Sequence, residues 1–318
     1  MKNRKPDISV ITGALAVGFA ALLWSLDGVF IRPKFYELPA GLVVFLEHSL
    51  GFIVLIPFLA RGRQEVKRMT LKNWGSLSWI CLWGGLLGTL FITKAFFAAY
   101  DPKVQTTLAT VVILQKLQPV FALLLARILL KERLRDDFYI WAILAILAAY
   151  FLSFAESGLR LRDVRLIDPA ALYAMLAAFA FGSSTVFGKR FTNEVSFETA
   201  TALRFGGTMI LSLIFIISTG SLRAVPDIQP LHWKLLVVVV FTSGALSMFI
   251  YYFGLKRIPA SVATIFELFW PLSAVVLDYI INKNTLNTVQ YLASAVLLFS
   301  FFMIIRRKPA KANHQKEA

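Results

Sequence analysis

Two glutamines and a lysine stand directly before a proline inside an otherwise apolar stretch of the chain. Residues 113–134 read ILQKLQPVFALLLARILLKERL, which places Gln115, Lys116 and Gln118 just ahead of Pro119. At 100° per residue, these three side chains cover about 160° of a helix circumference and form one broad polar face. If the stretch crosses a bilayer, that face needs protein or a polar cavity beside it. We therefore interpret it as a candidate substrate-binding surface.

A carboxylate precedes a second proline with the same spacing. Glu267 lies four residues before Pro271, as Gln115 lies four residues before Pro119. Proline has no N–H and clashes with the carbonyl four residues earlier, so a kink with a freed carbonyl is expected at each site. Facing each other across a small cavity, Lys116 and Glu267 could hold the two ends of a zwitterion. A buried structural salt bridge between them is the alternative.

Further ionisable residues interrupt the apolar stretches. A charge at the bilayer centre costs about 2.5–3.5 kcal/mol on insertion scales, so such groups usually face a cavity or one another. Desolvated carboxylates are the usual proton carriers, and histidine titrates nearest neutrality. The preferred proton carriers are Glu47 and Glu267. The residues predicted to serve in proton coupling or gating are Asp27, Glu47, His48, Lys94, Arg204, Pro119 and Pro271. Structural ion pairing for Arg204 and simple core packing for His48 remain open.

Aromatic residues near these polar positions could enclose an organic substrate by stacking or cation–π contact. The three that neighbour the polar residues are Trp24, Tyr251 and Trp270. Ordinary packing against other helices is the alternative for each of them. The predicted substrate-binding set is then Gln115, Lys116, Gln118, Glu267, Trp270, Trp24 and Tyr251.

The composition indicates what positions these residues. Hydrophobic residues make up 58% of the 318 residues and charged residues 16%, against about 45–50% and about 25% in soluble domains. The apolar residues form blocks of about 20, enough to cross a hydrocarbon core as helices. Ten spans are predicted: 10–31, 40–60, 74–99, 104–130, 138–155, 169–188, 197–219, 233–255, 260–281 and 287–305. An all-α integral membrane protein follows.

The distribution of Lys and Arg predicts the orientation. With the N-terminus inside, the cytoplasmic connections and termini carry 20 Lys and Arg and the opposite side carries 8. By the positive-inside rule both termini are cytoplasmic, in the cell membrane. The net charge of +15 comes from short clusters between apolar blocks, so topology explains it and no nucleic-acid partner is expected. The partners we expect are membrane lipids and a small-molecule substrate, with a homodimer left open.

The two halves of the chain resemble each other. An offset of 157 residues aligns WSLDGVFIR (24–32) with FGSSTVFGK (181–189) and Glu47 with Arg204, and an offset of 152 aligns 119–134 with 271–286. Five spans per half is an odd number, so the second half enters the membrane inverted, as in many transporters. The predicted units are a five-helix repeat at 1–155, a loop at 156–168, a second repeat at 169–305 and a basic tail at 306–318.

Enzymatic machinery is not visible in the sequence. There is no G-x-x-x-x-G-K-[ST] phosphate loop, no H-E-x-x-H pattern and no G-x-S-x-G elbow. Cys81 is the single cysteine, so the chain alone builds neither a disulfide nor a cysteine metal site. We therefore predict no enzyme activity, catalytic residue, metal site or cofactor.

The segments ALLWSLDGVF, LQPVFALLLARILLKERL and LKRIPASVATIFELFWPLSAVVLDYIINKNTL together resemble the ten-helix EamA-type branch of the drug/metabolite transporter superfamily. The resemblance covers the whole chain and implies the fold and a transport function. It departs from the family pattern at Glu47, where an arginine is usual, and at Asn284, where the first half keeps the usual acidic residue as Glu132.

The resemblance implies a secondary transporter that works by alternating access of the two repeats. Export of small polar or amphipathic metabolites such as amino acids, with proton coupling as an option, is the leading hypothesis. Two alternatives remain open. One is an exporter of hydrophobic cationic drugs, in which Glu267 and Trp270 dominate binding. The other is a membrane scaffold or sensor that transports nothing.

Overall fold

The computed structural model describes residues 8–99, 111, 114–154, 169–283 and 287–306, and all regular structure within these ranges is helical. The α-helices, numbered within the described residues, are α1 Ile8–Leu26, α2 Ala40–Arg61, α3 Arg63–Lys67, α4 Leu71–Trp79, α5 Gly88–Ala99, α6 Gln118–Leu129, α7 Asp136–Phe154, α8 Pro169–Glu194, α9 Phe197–Ser218, α10 Pro230–Phe241, α11 Ala245–Arg257, α12 Ala260–Phe266, α13 Phe269–Asn282 and α14 Thr288–Arg306. π-Helical turns at Asp27–Ile31 and Ile80–Leu87 extend α1 and join α4 to α5.

Seven of these segments are long and apolar enough to cross a membrane. They are Ile8–Leu26, Ala40–Arg61, Leu71–Ala98, Pro169–Glu194, Phe197–Ser218, Pro230–Arg257 and Thr288–Arg306. The prediction of a multi-pass helical membrane protein is therefore confirmed. The other three predicted spans contain α6, α7 and the pair α12 and α13. The predicted loop 156–168, the tail beyond residue 306 and most of 104–113 lie outside the described residues.

The helices pack across the two halves of the sequence. Helix α2 lies against α9, α1 against α11 and α13, α5 and α6 against α8, and α7 against α14. The largest buried apolar cluster joins these elements through residues such as Ala14, Ala145, Tyr252, Leu255 and Leu297. Neither half therefore encloses its own separate core, and the space between them is available for a site.

Two carboxylates of the first half hydrogen-bond to the start of second-half helices. Glu65 accepts from the backbone N–H and hydroxyl of Ser196, at 2.8 and 2.9 Å. Glu132 accepts from the backbone N–H groups of Ala260 and Ser261, at 2.8 and 3.1 Å, and from the Ser261 hydroxyl. Carboxylates are favourable there because the first N–H groups of a helix have no partner within it. Glu65 lies outside the spanning segments; partial burial raises the pKa of its carboxyl, but the Ser196 bonds outweigh this and hold that pKa below its ordinary value.

Small residues let the halves approach closely beside the Ile80–Leu87 turn. A methyl group added at Gly84 would collide with the Ser184 side chain, and one at Gly85 with that of Thr208. Glycine is common where membrane helices touch by their backbones, because a larger residue would separate them. Thr208 also donates to the carbonyl of Cys81 at 3.3 Å, which is possible only at this separation.

This contact makes a prediction with an internal control. Gly85→Ala should destabilise the protein, by about 1–3 kcal/mol as for an overpacked core, because Thr208 cannot move away without separating helices. Gly75→Ala in α4 should leave stability equal or higher, since nothing lies within 4 Å of the added methyl and alanine favours helix. Thermal unfolding of both purified variants in detergent measures the difference. Equal loss in the two variants would contradict the close contact.

Candidate functional site

A cavity of about 200 Å³ lies between the halves and collects most of the predicted site residues. Those that line it are Trp24, Asp27, Glu47, His48, Gln115, Lys116, Gln118, Pro119, Arg204, Tyr251, Glu267 and Trp270. Two predicted residues lie elsewhere. Lys94 places its ammonium 5.5 Å from the centre of the Tyr173 ring, and Pro271 is buried behind the lining. Residues far apart in the sequence therefore meet in one space.

The two proline helices are interrupted where the polar residues lie. Helix α6 begins at Gln118 after a turn at 116–117, and a turn at 267–268 separates α12 from α13. The predicted interruption is thus present in both. The prediction that the Glu267 carbonyl is left free is wrong, because it accepts from the N–H of Trp270 at 3.1 Å. The turn tightens to an i to i+3 hydrogen bond, which is a common way to satisfy carbonyls at a helix end.

Neutral donors hold the carboxylate of Glu267. The hydroxyls of Tyr251 and Thr185 lie 2.7 and 3.2 Å from Oε1, and the side-chain amide of Gln118 donates to Oε2. The two hydroxyls are also 2.9 Å from each other. These partners come from α11, α8 and α6, so the carboxylate ties elements of both halves together. Thr185 was missed by the sequence reasoning, because a single hydroxyl in an apolar span gives no signal.

Lys116 has a different environment from the one that the sequence suggested. Its ammonium donates to Oε1 of Gln115 at 3.1 Å and lies 4.3 Å from the centre of the Trp270 ring. Within the described part of the chain no carboxylate oxygen lies within 4.0 Å of it, so the proposed Lys116–Glu267 salt bridge is not formed. Glu267 is held instead by Tyr251, Thr185 and Gln118.

A buried cluster of charges lies at another part of the cavity. The guanidinium of Arg32 donates through Nε to Asp27 at 3.1 Å and through Nη1 to Glu47 at 3.0 Å, and a third bond joins its Nη2 to Asp27. All three residues are only 7–8% exposed. The sequence analysis missed Arg32 because it directly follows the predicted span 10–31 and was counted with the residues that connect two spans. The π-helical turn Asp27–Ile31 brings it back over Asp27, five residues earlier.

His48 and Arg204 complete the polar lining. Nδ1 of His48 lies 2.9 Å from the carbonyl oxygen of Val44, so this nitrogen carries a proton and Nε2 is the acceptor in the neutral ring. Arg204 donates to Ser184 at 3.3 Å, to Tyr252 at 3.2 Å and to the carbonyl of Gly84 at 3.0 Å. The ion pair considered for Arg204 is not found among the described residues.

The halves of the chain match one family separately. The EamA-like transporter family matches residues 11–154 and again residues 168–306. The chain belongs to the EamA-like transporter family. This family lies within the drug/metabolite transporter superfamily, so the predicted resemblance is confirmed. The chain is a multi-pass membrane transporter.

Individual relatives agree with this membership. A protein from Fusobacterium nucleatum named riboflavin transporter ImpX is 40% identical over 291 residues, which cover 91% of this chain and 95% of that protein. An uncharacterized transporter of Synechocystis, sll1164, is 22% identical over 79% of this chain and 70% of its own length. A solved crystal structure superposes with a TM-score of 0.68 at 22% identity, covering 91% of this chain and 94% of that one. This last similarity concerns the fold alone.

The charge cluster of this EamA-like transporter makes a stability prediction. Arg32→Met leaves Asp27 and Glu47 buried without a cation, and removing one partner of a buried ion pair typically costs about 3–5 kcal/mol. The apparent unfolding temperature in detergent should fall sharply. Adding Asp27→Asn and Glu47→Gln to Arg32→Met should restore most of it, because no unpaired charge then remains. A single variant as stable as the parent would show that Arg32 does not neutralise these carboxylates.

Proposed function

We propose that this protein is a secondary transporter of riboflavin or of closely related molecules with a flat heteroaromatic ring and a polar chain. The observation that carries the proposal is the 40% identity, over 91% of the chain, to a protein named as a riboflavin transporter. The similarity also extends over 95% of the length of that relative. This substrate replaces amino acids as our leading hypothesis.

The cavity supports such a substrate. Six aromatic residues from different elements line it: Trp24, Phe96, Phe181, Phe205, Tyr251 and Trp270. Aromatic faces bind planar rings by offset stacking, worth about 0.5–1.5 kcal/mol beyond the area that they bury. The glutamines, hydroxyls and charged groups of the same lining can bond to a hydroxylated chain and to ring heteroatoms. A hydrophobic cation is disfavoured, because the positive charge of the Lys116 ammonium, 4.3 Å from the centre of the Trp270 ring, would repel it.

The transport mechanism that we propose is alternating access by two inverted five-helix repeats, with ten spans, cytoplasmic termini and location in the cell membrane. The double family match at 11–154 and 168–306 supports the duplication. The helix contacts also have the reciprocal pattern that a two-fold relation requires. In a two-fold relation between the halves, α1 corresponds to α8, α2 to α9 and α5 to α11. The contact between α1 and α11 then corresponds to the contact between α8 and α5, and the contact between α2 and α9 corresponds to itself. The cavity lies between the units that would move.

Amino acids or other zwitterions are a second candidate substrate class. One observation favours them, because Lys116 and Glu267 line the same cavity without pairing with each other. Export from the cell remains the proposed direction, on the basis of the family resemblance. The direction of transport is tested by measuring flux with the substrate gradient directed first into and then out of the proteoliposomes.

Binding and flux of riboflavin test the proposal directly. Riboflavin should raise the unfolding temperature of the purified protein in a concentration-dependent, saturable way, because a ligand that binds the folded state stabilises it by mass action. Proteoliposomes should show saturable riboflavin flux, and Glu267→Gln should weaken it about tenfold or more by disturbing a buried hydrogen-bond network. Arg127→Gln, an exposed change on α6 away from the cavity lining, is the matched control. Amino acid flux without riboflavin flux would favour the second candidate.

Proton coupling is proposed at Asp27, Arg32 and Glu47. Two carboxylates share one guanidinium, and Oδ1 of Asp27 is buried with no partner among the described residues. The cluster therefore carries a net negative charge that one bound proton would neutralise, which is favourable in a low-dielectric site. Protonation and deprotonation there could alternate with movement of the halves.

Asp27→Asn should uncouple transport from the proton gradient. Only the Arg32–Glu47 pair would remain charged, so the cluster would be neutral without taking up a proton. Riboflavin flux down its own gradient should persist, while accumulation driven by an imposed pH gradient should disappear. Comparing the two fluxes in the same proteoliposome preparation separates coupling from general loss of activity. Equal pH-driven accumulation in variant and parent would place the coupling elsewhere.

A further inference from the structure

The ammonium of Lys116 is the most weakly satisfied charge in the cavity. The residue is 9% exposed, and the described residues give its three donor hydrogens one acceptor, Oε1 of Gln115. Its remaining contact is the face of Trp270. A buried ammonium without a carboxylate partner is costly, so a ligand that supplies an acceptor would be favoured at this place.

A relay of hydrogen bonds fixes which atom of Gln115 faces the lysine. In its ionised form the Glu267 carboxylate only accepts hydrogen bonds, so the amide nitrogen of Gln118 then points toward it. The amide oxygen of Gln118 then accepts from the amide nitrogen of Gln115 at 2.9 Å. This leaves the Gln115 oxygen directed at Lys116. The Glu267 carboxylate thereby orients the side-chain amides of Gln118 and Gln115 without itself contacting the Lys116 ammonium.

The result is a donor and an acceptor side by side beside an aromatic face. The Lys116 nitrogen and the Gln115 oxygen are hydrogen-bonded to each other at 3.1 Å. A ligand edge that offers an acceptor next to a donor, as the C=O and N–H groups of a cyclic imide or lactam do, can replace this one bond with two. The centre of the Trp270 ring lies 4.3 Å from the lysine nitrogen, and the ring packs so closely on Gly28 that an added methyl there would lie 3.0 Å from it. The aromatic surface is therefore held in place.

We propose that Gln115, Lys116 and Trp270 form a subsite for the imide edge of a planar heteroaromatic ring. The ring stacks on Trp270 as the flexible lysine moves from the face of that ring to its edge. Lys116 then donates to a ring carbonyl oxygen, and the Gln115 oxygen, released from the lysine, accepts from the adjacent ring N–H. Glu267 is a positioning residue that acts through Gln118. The inference rests on the proposed function, because the riboflavin ring system carries such an imide.

The test compares riboflavin with riboflavin methylated at the imide nitrogen. Quenching of flavin fluorescence by the purified protein in detergent gives both dissociation constants. The unmodified protein should bind the methylated compound about 10- to 100-fold more weakly, because the buried Gln115 oxygen loses its donor. No variant is needed for this comparison, so misfolding cannot produce the result. Equal affinities for the two compounds would overturn the subsite, while leaving riboflavin transport intact.

Variants then assign the roles. Lys116→Met should weaken both compounds by a similar factor of about 10 or more, and Lys116→Arg should recover part of this, because a donor returns. Glu267→Gln should bring the ratio of the two dissociation constants toward one. Without the carboxylate, the side-chain amides of Gln118 and Gln115 can each exchange the positions of their oxygen and nitrogen. Thr185→Val removes another bond to Glu267 but leaves Gln118 in place, and should keep the preference. An unchanged ratio in Glu267→Gln would overturn the relay. If the unmodified protein neither bound nor transported riboflavin, the proposed function itself would be overturned.

Discussion

The need to satisfy a carboxylate away from water governs the centre of this transporter. Glu267 lies between two halves of a helix that proline has interrupted, and donors from three other helices converge on it. An unpaired charge at that depth would be expensive. The hydroxyl and amide donors make it tolerable, and in doing so they fix the positions of α6, α8 and α11 relative to α12. The cavity has its shape because these elements meet at one acceptor.

The charged residues of the cavity differ in how fully they are hydrogen-bonded. Arg32 is fully engaged by Asp27 and Glu47, and Glu267 is engaged by neutral groups. Lys116 alone combines burial with a single hydrogen bond in the described part of the chain. A lining of this kind is rigid on most sides and unsatisfied on one. At the unsatisfied side an additional hydrogen-bond acceptor would be the most stabilising.

Much of this organisation could be predicted from the sequence, since hydrophobic blocks, buried charges and proline positions are local signals. Gln115, Lys116, Gln118 and Glu267 stood out because polar residues are rare in apolar stretches. The salt bridge between Lys116 and Glu267 was wrong, because opposite charge says nothing about competing donors such as Tyr251. Arg32 was missed for a related reason. Its burial depends on a π-helical turn, which shifts the residue by one position around the helix and leaves no compositional signal.

The backbone contact at Gly84 and Gly85 has a mechanical consequence. Long side chains that lie between two helices can change rotamer and absorb a small separation, but here only the short side chains of Ser184 and Thr208 lie against the two glycines. Bonds from Arg204 to the Gly84 carbonyl and from Thr208 to the Cys81 carbonyl cross the same place. Moving the halves apart at this point would break these bonds together. The glycines and these two bonds therefore hold the Ile80–Leu87 turn at a closely defined distance from α8 and α9.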